Sequence, residues 1–349
     1  MLEIDDRVRA DKAYRLACEG ETLLWRGDFH GARQLLKALR RRVDRKPPKQ
    51  GTTPRETFHL YRQAQGRKAR VLGMLLVPQD GDWSVPLRRA PDVRAACTAA
   101  YGPPPGEPRT VPLRELLGVI GAYEWQRKGV EIPALDGERI HPVYGVFSPV
   151  RGEYVDLVAR AELPGTGTAY DIGTGTGVLS AVLARRGVRR VVATDQEDRA
   201  LDCARMNIAQ LGVGDSVEVT RADLFPYEKG EEPRADVAVC NPPWLPAKPT
   251  SPLEHAVYDP GSRMLRGFLE GLAPRLAPGG EGWLILSDLA ERLGLRSREE
   301  LLGWIGEAGL RVAGRDDIRP RHPRAAGEDG DPLAEARAGE VTSLWRLAI

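Results

Sequence analysis

An asparagine carboxamide followed by two prolines and a tryptophan, Asn241-Pro242-Pro243-Trp244, is the group of residues in this chain best suited to chemistry at nitrogen. An amide or aromatic amine is a poor nucleophile because its lone pair is delocalised. Reaction there needs hydrogen-bond acceptors that localise the pair and bear the developing positive charge. Asn241 supplies a side-chain oxygen and Pro242 a backbone carbonyl. Neither proline carries an N–H and each has a fixed φ, which keeps the acceptors rigid. Trp244 offers a flat face on which a planar group can stack.

The elements that must position these residues begin about 60 residues upstream, at Asp171-Ile172-Gly173-Thr174-Gly175-Thr176-Gly177. An apolar run ends at Tyr170 and another occupies 178–184, so the order reads as strand, tight turn and helix N-terminus. Such a corner binds nucleotides, and its glycines can take positive φ and let a ligand approach the backbone. An acid, Asp195, ends the next apolar strand about 20 residues on, where a ribose diol would sit. A second acid follows at Asp223, and the strand over 235–240 runs directly into the tetrapeptide. Strands over 169–172, 191–194, 217–221, 237–240, 282–286, 310–315 and 343–347 alternate with helices over 179–184, 199–211, 262–276 and 297–308. The fold class is therefore α/β, a seven-stranded Rossmann-like sheet with an antiparallel last strand.

With these strand ends in order, the chain resembles the class I S-adenosylmethionine (SAM)-dependent methyltransferases. Among them it is similar to the group that methylates nitrogen and carries an Asn/Asp-Pro-Pro-aromatic tetrapeptide. The resemblance covers residues 151–349 and implies SAM as cofactor. It gives the methionine part of SAM to Asp171, Gly173, Thr174, Gly175 and Gly177, the ribose to Asp195, and the adenine to Asp223 and Leu224, with Phe225 packed beside that ring. Asn241, Pro242 and Trp244 become the catalytic residues, with Asn241 also next to the cofactor. The sulfonium is already activated, so no metal and no covalent enzyme nucleophile are expected; positioning and charge stabilisation carry the catalysis.

Ahead of this domain, helices are expected over 11–25, 28–43, 54–65, 93–100 and 111–126, with a short apolar run over 70–77 and a proline-rich connection over 102–106. Residues 1–130 thus form a mainly helical domain, 131–150 a β-hairpin linker and 151–349 the SAM-binding domain. That order resembles the HemK-type protein glutamine methyltransferases. Pro149-Val150-Arg151-Gly152-Glu153 resembles their linker segment, with Ser148 where an apolar residue is usual and a longer N-terminal part. The acceptors implied are a protein glutamine, adenine N6 in RNA, or the nitrogen of a small molecule. The alternative is an enzyme similar to the azetidine-carboxylate synthases, which cyclise SAM itself and release methylthioadenosine. Tyr144, Phe147, Tyr154 and Arg151 are the candidate substrate-pocket residues in either case.

The remaining features are bland. The formal net charge of +2 does not call for general nucleic-acid binding, although the helix over 33–43 and its basic tail could meet phosphates. No apolar run approaches a membrane span, and acids occupy the N-terminus where a signal peptide needs a basic region, so a cytoplasmic location is expected. Cys18, Cys97, Cys203 and Cys240 form no CxxC pair, and Cys240 fits a core strand. His141, His255 and His322 read as hydrogen-bonded loop residues, and the Arg-rich loop over 316–340, with Arg319, Arg321 and Arg324, as a solvated connection.

Overall fold

The computed structural model describes residues 1–227, 233–249, 257–320 and 331–349. The chain divides into two units, Met1–Arg127 and Lys128–Ile349.

In the first unit, strands β1 (Leu2–Ile4), β2 (Leu23–Trp25), β3 (Leu75–Gln79) and β4 (Arg109–Pro112) form one sheet in sequence order. Helices α1 (Ala10–Glu19), α2 (Phe29–Asp44), α3 (Pro54–Gly73), α4 (Arg94–Tyr101) and α5 (Leu113–Lys128) make up most of the unit. The sheet was not foreseen. The helix expected over 11–25 stops at Glu19 because Gly20 turns left-handed (φ 93°), and Leu23–Trp25 become a buried strand parallel to both neighbours. The run over 70–77 likewise divides between the end of α3 and β3. Thr53 caps α3 by accepting from the Glu56 N–H at 3.1 Å, with Pro54 in the first turn.

Helix α2 buries Phe29, Ala32, Leu35, Leu39 and Val43 along one face. Its basic face is partly neutralised within the unit, since Arg42 pairs with Asp11 at 2.7 Å and Arg40 with Asp44 at 3.8 Å. Asp28 caps this helix by accepting from the His30 N–H at 2.9 Å. Its carboxylate also accepts from Arg89 and Arg88, at 2.7 and 3.0 Å, and the Arg89 hydrogen bond leads in lowering its pKa from 3.8 to about 2. The folded value lies below the unfolded one, so the stabilisation is complete above 3.8 and is lost as pH falls towards 2. Asp28→Asn keeps the cap and removes the charge. Its melting temperature should fall less on acidification through this window than that of wild type, and identical acid profiles would contradict the assignment.

The second unit opens with a small antiparallel hairpin, β5 (Val130–Glu131) and β6 (Arg139–Ile140), turning through Asp136 (φ 55°) and Gly137 (φ 80°). The hairpin occupies the start of the expected linker, and residues 141–150 carry no strand. Next in order are α6 (Glu153–Arg160), β7 (Thr168–Ile172), α7 (Val178–Arg185), β8 (Arg190–Asp195), α8 (Asp198–Gln210), β9 (Val217–Arg221) and β10 (Ala235–Cys240). They are followed by α9 (Arg263–Leu272), β11 (Leu276–Ser287), α10 (Leu289–Arg292), α11 (Arg298–Glu307), β12 (Arg311–Ile318), α12 (Ala334–Ala338) and β13 (Thr342–Ala348). Part of the loop expected over 316–340 is therefore ordered into β12 and α12, while Arg321, His322 and Arg324 lie outside the described residues, as does His255.

The seven strands lie in the order β12-β13-β11-β10-β7-β8-β9, and β13 runs antiparallel to both its neighbours. Successive residues of β11 face opposite layers: Trp283 joins the apolar cluster with Val155 and Leu183, and Leu284 the one with Phe268 and Trp345. The chain starts at β7, winds to one edge through β8 and β9, then returns to β10 on the other side of β7. The crevice beyond the carboxyl ends of β7 and β10 is thus the topological switch point, where open α/β sheets bind their ligands.

Candidate active site

The glycine corner lies at one wall of that crevice. The N–H groups of Gly173 and Thr174 both donate to the Thr194 carbonyl of β8, at 2.9 and 2.8 Å, which folds the chain sharply over the end of β7. Gly173, Gly175 and Gly177 all have positive φ, 73°, 54° and 80°. A Cβ added at Gly173 would meet the Met264 methyl group and one at Gly177 would lie 3.3 Å from Ala204, whereas at Gly175 nothing lies within 4 Å. Two of the glycines are therefore packed, and Gly175 borders open space.

Asp171 is buried under this corner, and one of its oxygens, Oδ2, accepts from Thr174 Oγ1 (2.7 Å), Ser180 Oγ (2.6 Å) and Ser180 N–H (3.0 Å). Burial pushes the carboxyl up, against the pull of Ser180 and Thr174. Asp195 ends β8 and accepts from Gly175 N–H (3.1 Å) and Glu197 N–H (3.0 Å); here too burial raises the pKa. Asp223 is exposed and paired with Arg263 at 3.2 Å. Leu224 has φ 74° and its carbonyl accepts from Thr194 Oγ1 at 2.6 Å. Phe225 is stacked on Phe268, with centroids 6.0 Å apart, and Arg275 lies 4.6 Å over its ring, so its faces are taken up by protein groups.

Across the switch point, Cys240 pairs with Ile172, so Asn241 leaves the sheet beside Gly173. The Trp244 indole N–H donates to Asn241 Oδ1 at 2.9 Å. Because an indole nitrogen only donates, this bond fixes which end of the carboxamide is oxygen and where it points. Beyond the tetrapeptide, the Leu245 carbonyl accepts from Asp259 N–H at 2.9 Å, and Asp259 in turn accepts from the Met264 and Leu265 N–H groups at the start of α9.

Of the substrate-pocket candidates, Arg151 reaches the tetrapeptide: its guanidinium lies 5.7 Å over the Trp244 ring. It pairs with Glu153 at 2.9 Å and Glu340 at 3.3 Å, and Glu340 accepts from Ser287 Oγ at 2.7 Å. Tyr154 is buried on α6, and its hydroxyl is pushed up first by burial and then by the nearby charge of Asp171 under the glycine corner. Tyr144 lies with Arg199, 5.8 Å over its ring, and Phe147 is exposed. The His141 backbone is tethered to the buried Asn207, donating to its Oδ1 at 2.8 Å. The sequence does not single out Ser180, Asp259 or Glu340, which the structure brings to this region. Ser180 carried the weakest of signals, a hydroxyl in the first turn of the helix behind the glycines. Among the described residues no group of three or more His, Cys, Asp or Glu side chains is placed to hold a metal, and no helix is long and apolar enough to cross a membrane.

The glycine corner, the strand-end acids and the tetrapeptide all lie in a stretch that is similar to SAM-dependent methyltransferase domains. Residues 144–289 match the family described as the methyltransferase small domain. Ribosomal protein L11 methyltransferase of Pelotomaculum thermopropionicum is 35% identical over 162 residues, 46% of this chain and 43% of that protein. Release factor glutamine methyltransferase of Mycobacterium tuberculosis is 33% identical over 194 residues, 49% and 57% of the two chains. The tRNA1(Val) (adenine(37)-N6)-methyltransferase of Shewanella halifaxensis is 32% identical over 142 residues, 40% and 57%. The chain thus spans about half the length of these relatives. Among solved structures, ribosomal protein L11 methylase from Lactobacillus delbrueckii subsp. bulgaricus aligns at a TM-score of 0.41 and 17% identity, covering 61% of this chain and 86% of that one.

Proposed function

We propose that the chain is a SAM-dependent N-methyltransferase acting on an amide or amine nitrogen, with the side-chain amide of a protein glutamine as the first acceptor to test. The observation that carries this reading is the Trp244–Asn241 bond beside the glycine corner. It holds a carboxamide oxygen rigidly where an acceptor N–H can be received. The order of helical unit, hairpin and catalytic sheet supports glutamine, as does the glutamine-directed relative. The adenine-directed relative makes tRNA adenine the next acceptor, and a small-molecule amine is third. The curated relatives named above are all methyltransferases, which supports transfer over the azetidine-forming alternative.

The donor set suits SAM, which when bound supplies a methyl group activated by the sulfonium. Asp171 Oδ2 is committed to Ser180 and Thr174, and the other oxygen is the one to receive the ammonium of the methionine part. Open space at Gly175 lets the ligand lie against the backbone, Asp195 receives the ribose hydroxyls, and Asp223 with Leu224 borders the adenine. Asn241 Oδ1 and the Pro242 carbonyl take the acceptor's N–H hydrogens. Trp244 acts here as a positioning residue, and one face of its ring is covered by Arg151.

Asp195→Ala should weaken SAM binding by about 2–3 kcal/mol, the worth of a charged, partly buried carboxylate–diol contact, and it also unpairs the Gly175 N–H. Calorimetric titration measures this, and unchanged affinity would remove Asp195 from the ribose site. The acceptor is tested by incubating the chain and methyl-labelled SAM with a glutamine-bearing peptide and, separately, with tRNA. Label on the peptide amide supports the first acceptor and label on adenine N6 supports the second; label on carbon or oxygen contradicts the reading.

A further inference from the structure

Arg296 stands between α10 and α11, where the Leu295 and Arg296 N–H groups both turn back to the Ala290 carbonyl. Its side chain is 3% exposed, and Nε and Nη2 are buried with no hydrogen-bond partner among the described residues. These two nitrogens form one edge of the guanidinium, the fork that takes two coplanar oxygens at once. A buried arginine with this edge empty is costly unless something else fills it.

The carboxylates near it are already committed. Glu291 accepts from Arg298 at 2.8 Å, Glu300 from the Ser297 N–H at 2.7 Å in the capping box of α11, and Asp259 from the first N–H groups of α9. Their charges favour the ionised guanidinium against the burial that disfavours it, but none bonds the fork. The loop bearing Arg296 follows the carboxyl end of β11, on the same edge of the sheet as Asn241 and Asp259.

We infer that the Nε–Nη2 edge of Arg296 is an oxyanion subsite for the acceptor, taking a carboxylate or phosphate carried by the molecule whose nitrogen meets Asn241. This deepens the methyl-transfer reading and rests on it for the identity of the ligand. Arg296→Gln removes the charge and the fork; Arg296→Lys keeps the charge and loses the fork.

The test is calorimetric titration of the full chain, free and loaded with S-adenosylhomocysteine, with acetate and with inorganic phosphate against chloride at matched ionic strength. Saturable binding of acetate identifies a carboxylate-bearing acceptor and of phosphate a phosphate-bearing one. Either should weaken about tenfold or more in both variants, with S-adenosylhomocysteine affinity unchanged. If Arg296→Gln does not fold, Arg296→Lys carries the comparison. Equal anion binding in wild type and a folded variant, or no saturable binding to wild type, overturns the subsite. Failure of wild type to bind S-adenosylhomocysteine would instead sink the proposed function, since the anion comparison is also read on the free chain.

Discussion

Asn241→Ala should leave SAM affinity near that of wild type and lower turnover by roughly 100-fold or more, the usual cost of a lost transition-state hydrogen bond. The carboxamide oxygen is held by Trp244 at 2.9 Å, and under the proposed function its remaining acceptor capacity receives the N–H of the nucleophile. Trp244→Phe keeps an aromatic ring, though a smaller one, and removes the indole N–H, so it frees the carboxamide without deleting it. An intermediate loss of about tenfold is expected for that variant, the lower end of what a misplaced hydrogen bond costs. The pair separates an acceptor role from a packing role. Single-turnover rates measured with saturating SAM decide it, and an Asn241→Ala enzyme that turns over at the wild-type rate would remove Asn241 from the chemistry.

Asp171 should show a large effect of a different kind. Three donors converge on its Oδ2 from Thr174 and Ser180, so Asp171→Ala leaves buried groups unpaired and should destabilise the domain by about 3 kcal/mol. Asp171→Asn retains a carbonyl oxygen for those donors and loses the charge. It should fold nearly as wild type yet bind SAM more weakly by about 1.5–3 kcal/mol, the worth of a hydrogen bond to a charged group. Denaturant melts and SAM titrations of both variants read the two effects separately. Wild-type SAM affinity in Asp171→Asn would exclude contact between this carboxylate and the cofactor's ammonium.

Strands β7, β8 and β10 were legible because buried parallel strands read as apolar runs punctuated by glycine and acids, whereas the edge strand β9, which coincides with 217–221, shows itself by valines alternating with polar residues. In the first unit, β1 and β2 are three residues each, too short for any period to show, and Leu23-Leu24-Trp25 fits a helix face as well as a strand. At the site, spacing placed Asn241 and Trp244 in one turn but carried no information on where the indole N–H points. The nearness of Tyr154 to the linker in sequence says nothing of which face of α6 enters the core, nor that its hydroxyl comes near Asp171. The contacts of Arg151 with Glu340, and the crowd of committed carboxylates around Arg296, join residues far apart along the chain, and no local pattern signals them.

The central claim is tested most directly by following SAM itself. The purified chain is incubated with SAM alone and then with glutamine-bearing peptide, tRNA or small-molecule amine added, and the adenosine-containing products are separated and weighed by mass spectrometry. The account predicts SAM left intact until a nitrogen acceptor is present, then S-adenosylhomocysteine in step with a methylated nitrogen. Release of methylthioadenosine from SAM alone, well above the no-enzyme background, would contradict it.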